Sequence, residues 1–180
     1  AEGLLSLGSL SHVPLWFFYR GDIIHDPKDL RGRRIAVGQE GSASNLLAVQ
    51  ILKLAGAAGA PTQLVPLPRK AAIAAFRAEK VEALAIAASP ESRAIQKLAA
   101  RPGVHLLNFQ RSRAYARRLP HVSSLVLAQG IFDLARDVPA NDVQLLAQTT
   151  NLVTRAGLHP ALAYLLLRGA REIHGRAGML

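Results

Sequence analysis

The 180 residues carry 22 Lys and Arg against 12 Asp and Glu, a net charge of +10, and contain no cysteine. This length suits one sizeable domain or two small lobes that need no staples. The lack of cysteine excludes disulfides and thiolate metal sites without fixing a compartment, and no apolar run approaches the ~20 residues that span a bilayer. Arginine supplies most of the charge. The charges are spread along the chain and aromatics make up only 5%, which argues against nucleic acid, since such a binder gathers cations and aromatics on one surface. Arg111, Arg113, Arg117 and Arg118, the densest group, read as a solvated helix face.

In chain order, Pro14 to Arg20 holds the aromatic run of a buried strand. A polar loop with an Asp26-Pro27 turn signal leads to a second strand, Ile35 to Val37. From Ser44 to about Ala58 the apolar residues Leu47, Ile51, Leu54, Ala55 and Ala58 share a helical face, with Gly59 and Pro61 as the stop. Thr62 to Leu67 is a third strand, and Pro68 opens a helix through about Glu79. Val81 to Ala88 reads as a central parallel strand buried on both faces. Ser89-Pro90-Glu91 then caps a helix through Ala100, followed by a strand at Val104 to Leu107 and a helix at Arg111 to Arg118. This strand–helix alternation predicts an α/β fold with a mostly parallel sheet covered on both faces. Beyond it, Ser123 to Ala128 and Val143 to Thr154 read as longer strands, and Pro160 to His174 as an amphipathic helix.

The stretch Ile35-Ala36-Val37-Gly38-Gln39-Glu40-Gly41-Ser42-Ala43-Ser44-Asn45 is a strand running into a glycine-punctuated turn and a helix. Gly38 and Gly41 can take positive φ, and Ser42, Ser44 and Asn45 are good N-cap residues. The free N–H groups of such a helix start suit a carboxylate or phosphate. The same residues also make an ordinary capped turn, and both readings stand at this point. Ser89 follows the apolar strand, where the carboxyl ends of an open α/β sheet face a ligand crevice; as a lone residue it is equally an N-cap. No nucleophile elbow, Walker loop or paired histidine spacing occurs, so the expectation is no catalytic residue, no metal and no cofactor.

Together, Ser6-Leu7-Gly8-Ser9-Leu10, Pro14 to Arg20, Asp29 to Gly38 and Glu40-Gly41-Ser42 resemble the TAXI-type solute-binding receptors of tripartite ATP-independent periplasmic (TRAP) transporters. Asn151-Leu152-Val153, His159-Pro160-Ala161-Leu162 and Ala170 to Gly175 resemble the family's closing region. The resemblance implies a type 2 periplasmic binding-protein fold. One complete lobe would run over 15–121, preceded by a crossover strand at 1–14 and followed at 122–180 by a return segment belonging to an incomplete first lobe. It further implies an extracytoplasmic receptor, periplasmic or membrane-anchored, that captures a small anionic solute for the membrane subunits of a TRAP-type transporter. The chain would then be a fragment, with the signal sequence and first βα units upstream of Ala1. The ligand contacts would be Ser9, Gly41, Ser42, Ala43, Ser44, Asn45 and Ser89.

The sequence also departs from the family. Gly41-Ser42-Ala43-Ser44 stands where members commonly carry Gly-Ser-Gly-Thr, Ser11-His12-Val13 replaces tyrosines and a glutamate, and Glu82 replaces a frequent aspartate. The alternative class is the ligand-sensing effector domain of a transcription regulator, which uses a similar two-lobe fold. A transferase on that fold would need an acid–base or phosphate-binding constellation. With first-lobe partners missing, the apolar faces of the return segment would lack cover, and self-association of the fragment is expected through them.

Overall fold

The computed structural model describes residues 3–174. Ala1 and Glu2, at the head of the expected crossover strand, and Gly175, at the end of the closing motif, lie outside them.

One seven-stranded sheet organises the chain. Its strands are β1 (Leu4–Tyr19), β2 (Arg34–Ala36), β3 (Gln63–Val65), β4 (Ala83–Ala87), β5 (His105–Leu106), β6 (Val122–Leu127) and β7 (Val143–Arg155). The helices are α1 (Ala43–Leu54), α2 (Arg69–Arg77), α3 (Arg93–Ala99), α4 (Ser112–Arg118) and α5 (Pro160–His174), with a 3-10 turn at Pro27–Leu30. The sheet order is β3-β2-β4-β1-β7-β6, with β5 also on β1. β3, β2 and β4 are mutually parallel, as βα units require. β1 enters antiparallel to β4, β5 and β7, which makes the sheet mixed. The Val81–Ala88 run is therefore parallel to β2 on one side and antiparallel to β1 on the other, with β4 buried along its whole length.

Period-two alternation explains why the apolar runs are strands. Leu15, Phe17 and Tyr19 of β1, with Ala83, Ala85 and Ala87 of β4, join Leu47, Ile51 and Tyr115 of α1 and α4 in one core. The intervening Trp16, Phe18, Leu84 and Ile86 join Phe76 and Leu98 of α2 and α3 in a second core on the opposite face. Both faces of these strands are covered, so continuous hydrophobicity replaces the alternation of a half-exposed strand. Burying each such large side chain contributes about 1.5–3 kcal/mol. The Trp16 indole satisfies its one polar atom by donating to the Ala88 carbonyl at 2.8 Å.

Helix α1 ends at Leu54, short of the expected Gly59 stop. Gly56 takes φ +72°, letting its own N–H reach Lys53 and that of Ala57 reach Leu52. This paired closure satisfies the last carbonyls and ends the helix about four residues early. Helix α3 starts at Arg93, with Ser92 at its N-cap rather than the Ser89-Pro90-Glu91 segment.

Strands β6 and β7 belong to this same sheet. Val122 and Leu146 lie in the first core, and Leu127, Val143 and Leu145 in the second. The amino half of β1 and the carboxyl half of β7 continue beyond the sheet as a two-stranded ribbon pairing Leu4 with Arg155 and His12 with Thr149. Helix α5 lies over that ribbon, forming a groove with Leu7, Gly8, Ser9 and Leu10 opposite Leu167, Ala170 and Arg171. Leu4, Leu5, Val153, Leu162, Leu165, Leu166 and Ile173 of the ribbon and α5 are exposed.

Candidate functional site

The parallel strands β2 and β4 end at the same edge, and there Gly38 to Asn45 folds. Gly38 is buried with φ +83°, and a Cβ on it would stand 2.9 Å from the Ser44 Cβ and 3.1 Å from the Ser42 Oγ. Only glycine fits that position. Gly41 also takes a positive φ, +75°, but faces open space. Ser42 is the N-cap of α1, its Oγ accepting the Asn45 N–H at 3.2 Å. The Ser44 Oγ reaches sideways to accept the Ala87 N–H at 2.8 Å, tying the helix start to the carboxyl end of β4. Each hydroxyl has thus given a lone pair to the backbone and keeps its own proton to donate.

Two further donors stand beside them. Among the described residues the N–H groups of Ala43 and Ser44 have no acceptor, as the first helical positions of α1. The first turn of α1 holds no acidic residue, so no carboxylate within that turn neutralises the positive end of its dipole. The arrangement offers donors to an acceptor-rich, negatively charged group. Ala43 sits where a glycine is frequent, but as the first residue of α1 it has no need of glycine's angles; Gly38 and Gly41 carry the tight turn. Asn45 uses its side chain on the Gly38 carbonyl at 3.4 Å, which braces the loop.

The remaining expected contacts are placed differently. Ser89 follows β4 at the same edge, but its hydroxyl donates to the Glu91 carboxylate and accepts the Glu91 N–H at 3.2 Å. Ser9 donates to the Asn151 side chain at 3.0 Å in the exposed ribbon. It lies five residues before Pro14, whose carbonyl accepts the Ala88 N–H, a separation of about 16 Å along the strand. The loop and the end of β4 are therefore joined, and Ser9 stands apart from them. Glu82 accepts the Arg34 N–H at 3.0 Å at the opposite, amino end of β4. His12 contacts Thr149, His105 packs on Tyr19, and the His159 Nδ1 accepts the Ala161 N–H at the start of α5. Among the described residues no group of three or more His, Cys, Asp or Glu could hold a metal ion.

A larger groove of about 450 Å³ opens at the amino end of β4, lined by Tyr19, His105, Asn108 and Asp142 among others. Two of its polar side chains are engaged within the fold: Asp142 accepts the Gln129 N–H at 2.8 Å, and Asn108 the Gln144 N–H at 2.9 Å. Beside the first core, an ion pair joins Arg111 to Asp26. Burial, with a further contribution from Asp26, raises the Tyr115 phenol above its ordinary range.

Sequence reasoning passed over Arg69. It opens α2 directly after Pro68 and donates to the Ala87 carbonyl at 2.8 Å, beside the loop. The signal was a cation in the first turn of a helix, against the dipole, where acidic residues are the norm.

The strand order, the helices on both faces and the glycine-serine loop at the carboxyl edge fit an α/β fold of the type 2 periplasmic binding proteins. The chain belongs to the NMT1-like family, whose family model matches residues 10–172. Among curated proteins none matches it. It is similar in structure to an ancestral arginine-binding protein bound to arginine, with a TM-score of 0.55 and 13% identity over 94% of this chain and 58% of that one. A periplasmic binding protein of an ABC transporter from Brucella ovis, with glutathione bound, gives a TM-score of 0.55 at 15% identity over 96% of this chain and 44% of that one. An amino acid ABC transporter substrate-binding protein from Streptococcus pneumoniae, bound to L-arginine, gives 0.50 at 13% identity over 96% and 56%. The chain thus spans roughly half the length of these solved relatives, and at such identities the likeness is one of fold.

Proposed function

We propose that this chain forms part of an extracytoplasmic solute-binding receptor, without catalytic activity, that captures a small anionic metabolite. The observation that carries this reading is the start of α1: two unpaired N–H groups and two serine hydroxyls with unassigned protons, at the edge where β2 and β4 end. An oxyanion there receives several hydrogen bonds from a pre-formed site and no repulsion from an acidic first turn. Residues 15–121 act as the ligand-holding lobe, and 1–14 and 122–180 act as the crossover and return segments of the other, incomplete lobe, with the stretch to Ala147 packed on the sheet of the 15–121 lobe. Closure of two lobes on the solute follows from its greater affinity for the closed state.

The combined motifs from Ser6 to Ser42 and from Asn151 onward favour TAXI-type function with TRAP-type membrane subunits. The ABC-type solved relatives favour the second reading, an ABC-type receptor. Purification from its native membrane with the membrane subunits attached separates the two. Among the described residues no helix is long and apolar enough to cross a membrane.

The binding reading is tested by calorimetric titration of the chain with amino acids, dicarboxylates and sulfonates, followed by Ser42→Ala on each solute that binds. Loss of a charge-assisted hydrogen bond should weaken the Kd by about 1.5–3 kcal/mol. Equal affinity of the two proteins would remove the loop as the donor site. Because an N-cap change also destabilises by about 1 kcal/mol, folding is checked by thermal unfolding at the same time.

A further inference from the structure

We propose that Arg69 is the charge-recognising residue of this crevice, holding the anionic group of the solute together with the start of α1; the inference rests on the reading of the loop as an anion site. β2 stops pairing with β4 at Leu84, yet β4 runs on to Ala87. The backbone of Ala87 beyond β2 is completed by two side chains instead: its N–H by Ser44 at 2.8 Å and its carbonyl by the Arg69 Nη2 at 2.8 Å. Both anchor on one residue, so the Ser44 hydroxyl and the guanidinium lie less than about 10 Å apart, a range that one oxyanion bridges up to about 8 Å and the two ends of a small dianion bridge throughout.

The guanidinium is otherwise unspent. Arg69 is exposed, and among the described residues its other N–H donors have no acceptor. A guanidinium is planar and permanently charged, with donors in a fork that matches carboxylate and oxyanion geometry. The Ala87 carbonyl fixes one of those donors and so orients the rest. Its setting is electrostatically unfavourable for stability alone, since Arg69 and Lys70 open α2, no acid occupies the first turn, and the dipole there is already positive. Arg93 opens α3 in the same way. Three helix starts, α1 to α3, follow the three parallel strands at this edge with no acid in any first turn. Glu40 and Glu91 lie in the loops that lead into α1 and α3, so the positive charge that draws in an anion is concentrated at the start of α2, on Arg69 and Lys70.

The test is a nuclear magnetic resonance titration of the full chain with inorganic sulfate, following the Arg69 Nε–H together with the backbone amides of Ala43 and Ser44. Arg69→Gln and Arg69→Lys are titrated alongside, their amide spectra reporting that each is folded. Side chain and amides should shift along one saturation curve, Arg69→Gln should weaken sulfate at least about tenfold, and Arg69→Lys should recover part of that loss through charge without the fork. If the loop amides shift while Arg69 does not, and Arg69→Gln binds as tightly as the parent, Arg69 is excluded and the loop reading survives. Shifts at neither place would overturn both.

Discussion

Strand β1 passes through two environments in 16 residues. From Leu15 to Phe18 it is 0% exposed, held between β4 on one edge and, on the other, β7 at Leu15 and β5 at Phe18, and it is covered on both faces. At Leu4 and Leu5 it is 51% and 52% exposed and pairs with β7 alone. The backbone is extended in both, broken in the ribbon by irregularities between Ser6 and Gly8 and between Ser9 and Ser11; the larger change is the number of layers around it. Hydrogen bonding to a single partner keeps the ribbon extended, but a two-stranded ribbon has little stability of its own. Only where β4, β5 and the helices surround β1 does burial add the free energy that fixes the fold. The candidate site sits at the border of these regions, on the well-packed side, where a rigid support for a ligand loop is available.

Substitutions in the two halves of β1 should therefore differ sharply. Phe17→Ala removes a fully buried ring packed edge-on against Phe109 and should lower the unfolding free energy by about 3–5 kcal/mol in urea denaturation. Leu5→Ala, in the ribbon, should change it by no more than about 0.5 kcal/mol. Comparable losses would mean that the ribbon is part of the folding unit. Next in size, Gly38→Ala combines left-handed strain with the clash against Ser44 and should cost about 2–4 kcal/mol, whereas Gly41→Ala carries the strain alone, about 1–2 kcal/mol. Thermal unfolding of the pair measures how tightly the loop is built.

The same contrast explains what could be read from the sequence. Leu15-Trp16-Phe17-Phe18-Tyr19 and Val81 to Ala88 are apolar on both faces, so their composition alone reports a buried strand. The reversed direction of β1 was not legible, because strand direction depends on which distant segment pairs with it. For the same reason, apolar residues in β6 and β7 could not reveal whether they join this core or another. The loop was legible in part. Gly38, Gly41 and Ser42 carry local signals of turn and cap, and those signals need no partner. The anchoring of Ser44 and Arg69 on Ala87 links residues 43 and 18 positions apart, and no local pattern records it. Ser89 looked like a cap and a donor, yet its hydroxyl closes on Glu91.

A smaller effect separates the α4 side of the first core from the rest. The folded state holds Tyr115 neutral beyond its ordinary value of 10.0, through burial first and the neighbouring Asp26 charge second. With the folded pKa raised above the unfolded one, this contribution is full below pH 10 and is lost as pH rises through the folded value. Tyr115→Phe should show a shallower decline of stability above pH 10 than the parent, measured by denaturation across that range. Identical slopes would mean that the phenol is not held neutral by the fold.

The central claim, that the start of α1 is where the chain holds its ligand, is tested most directly by a crystal structure grown with the tightest-binding solute from the calorimetric panel. An oxyanion of that solute should lie at about 2.7–3.2 Å from the N–H groups of Ala43 and Ser44. A solute seated instead in the groove beside Tyr19, His105 and Asp142, or under α5, with the loop left empty, would contradict the account.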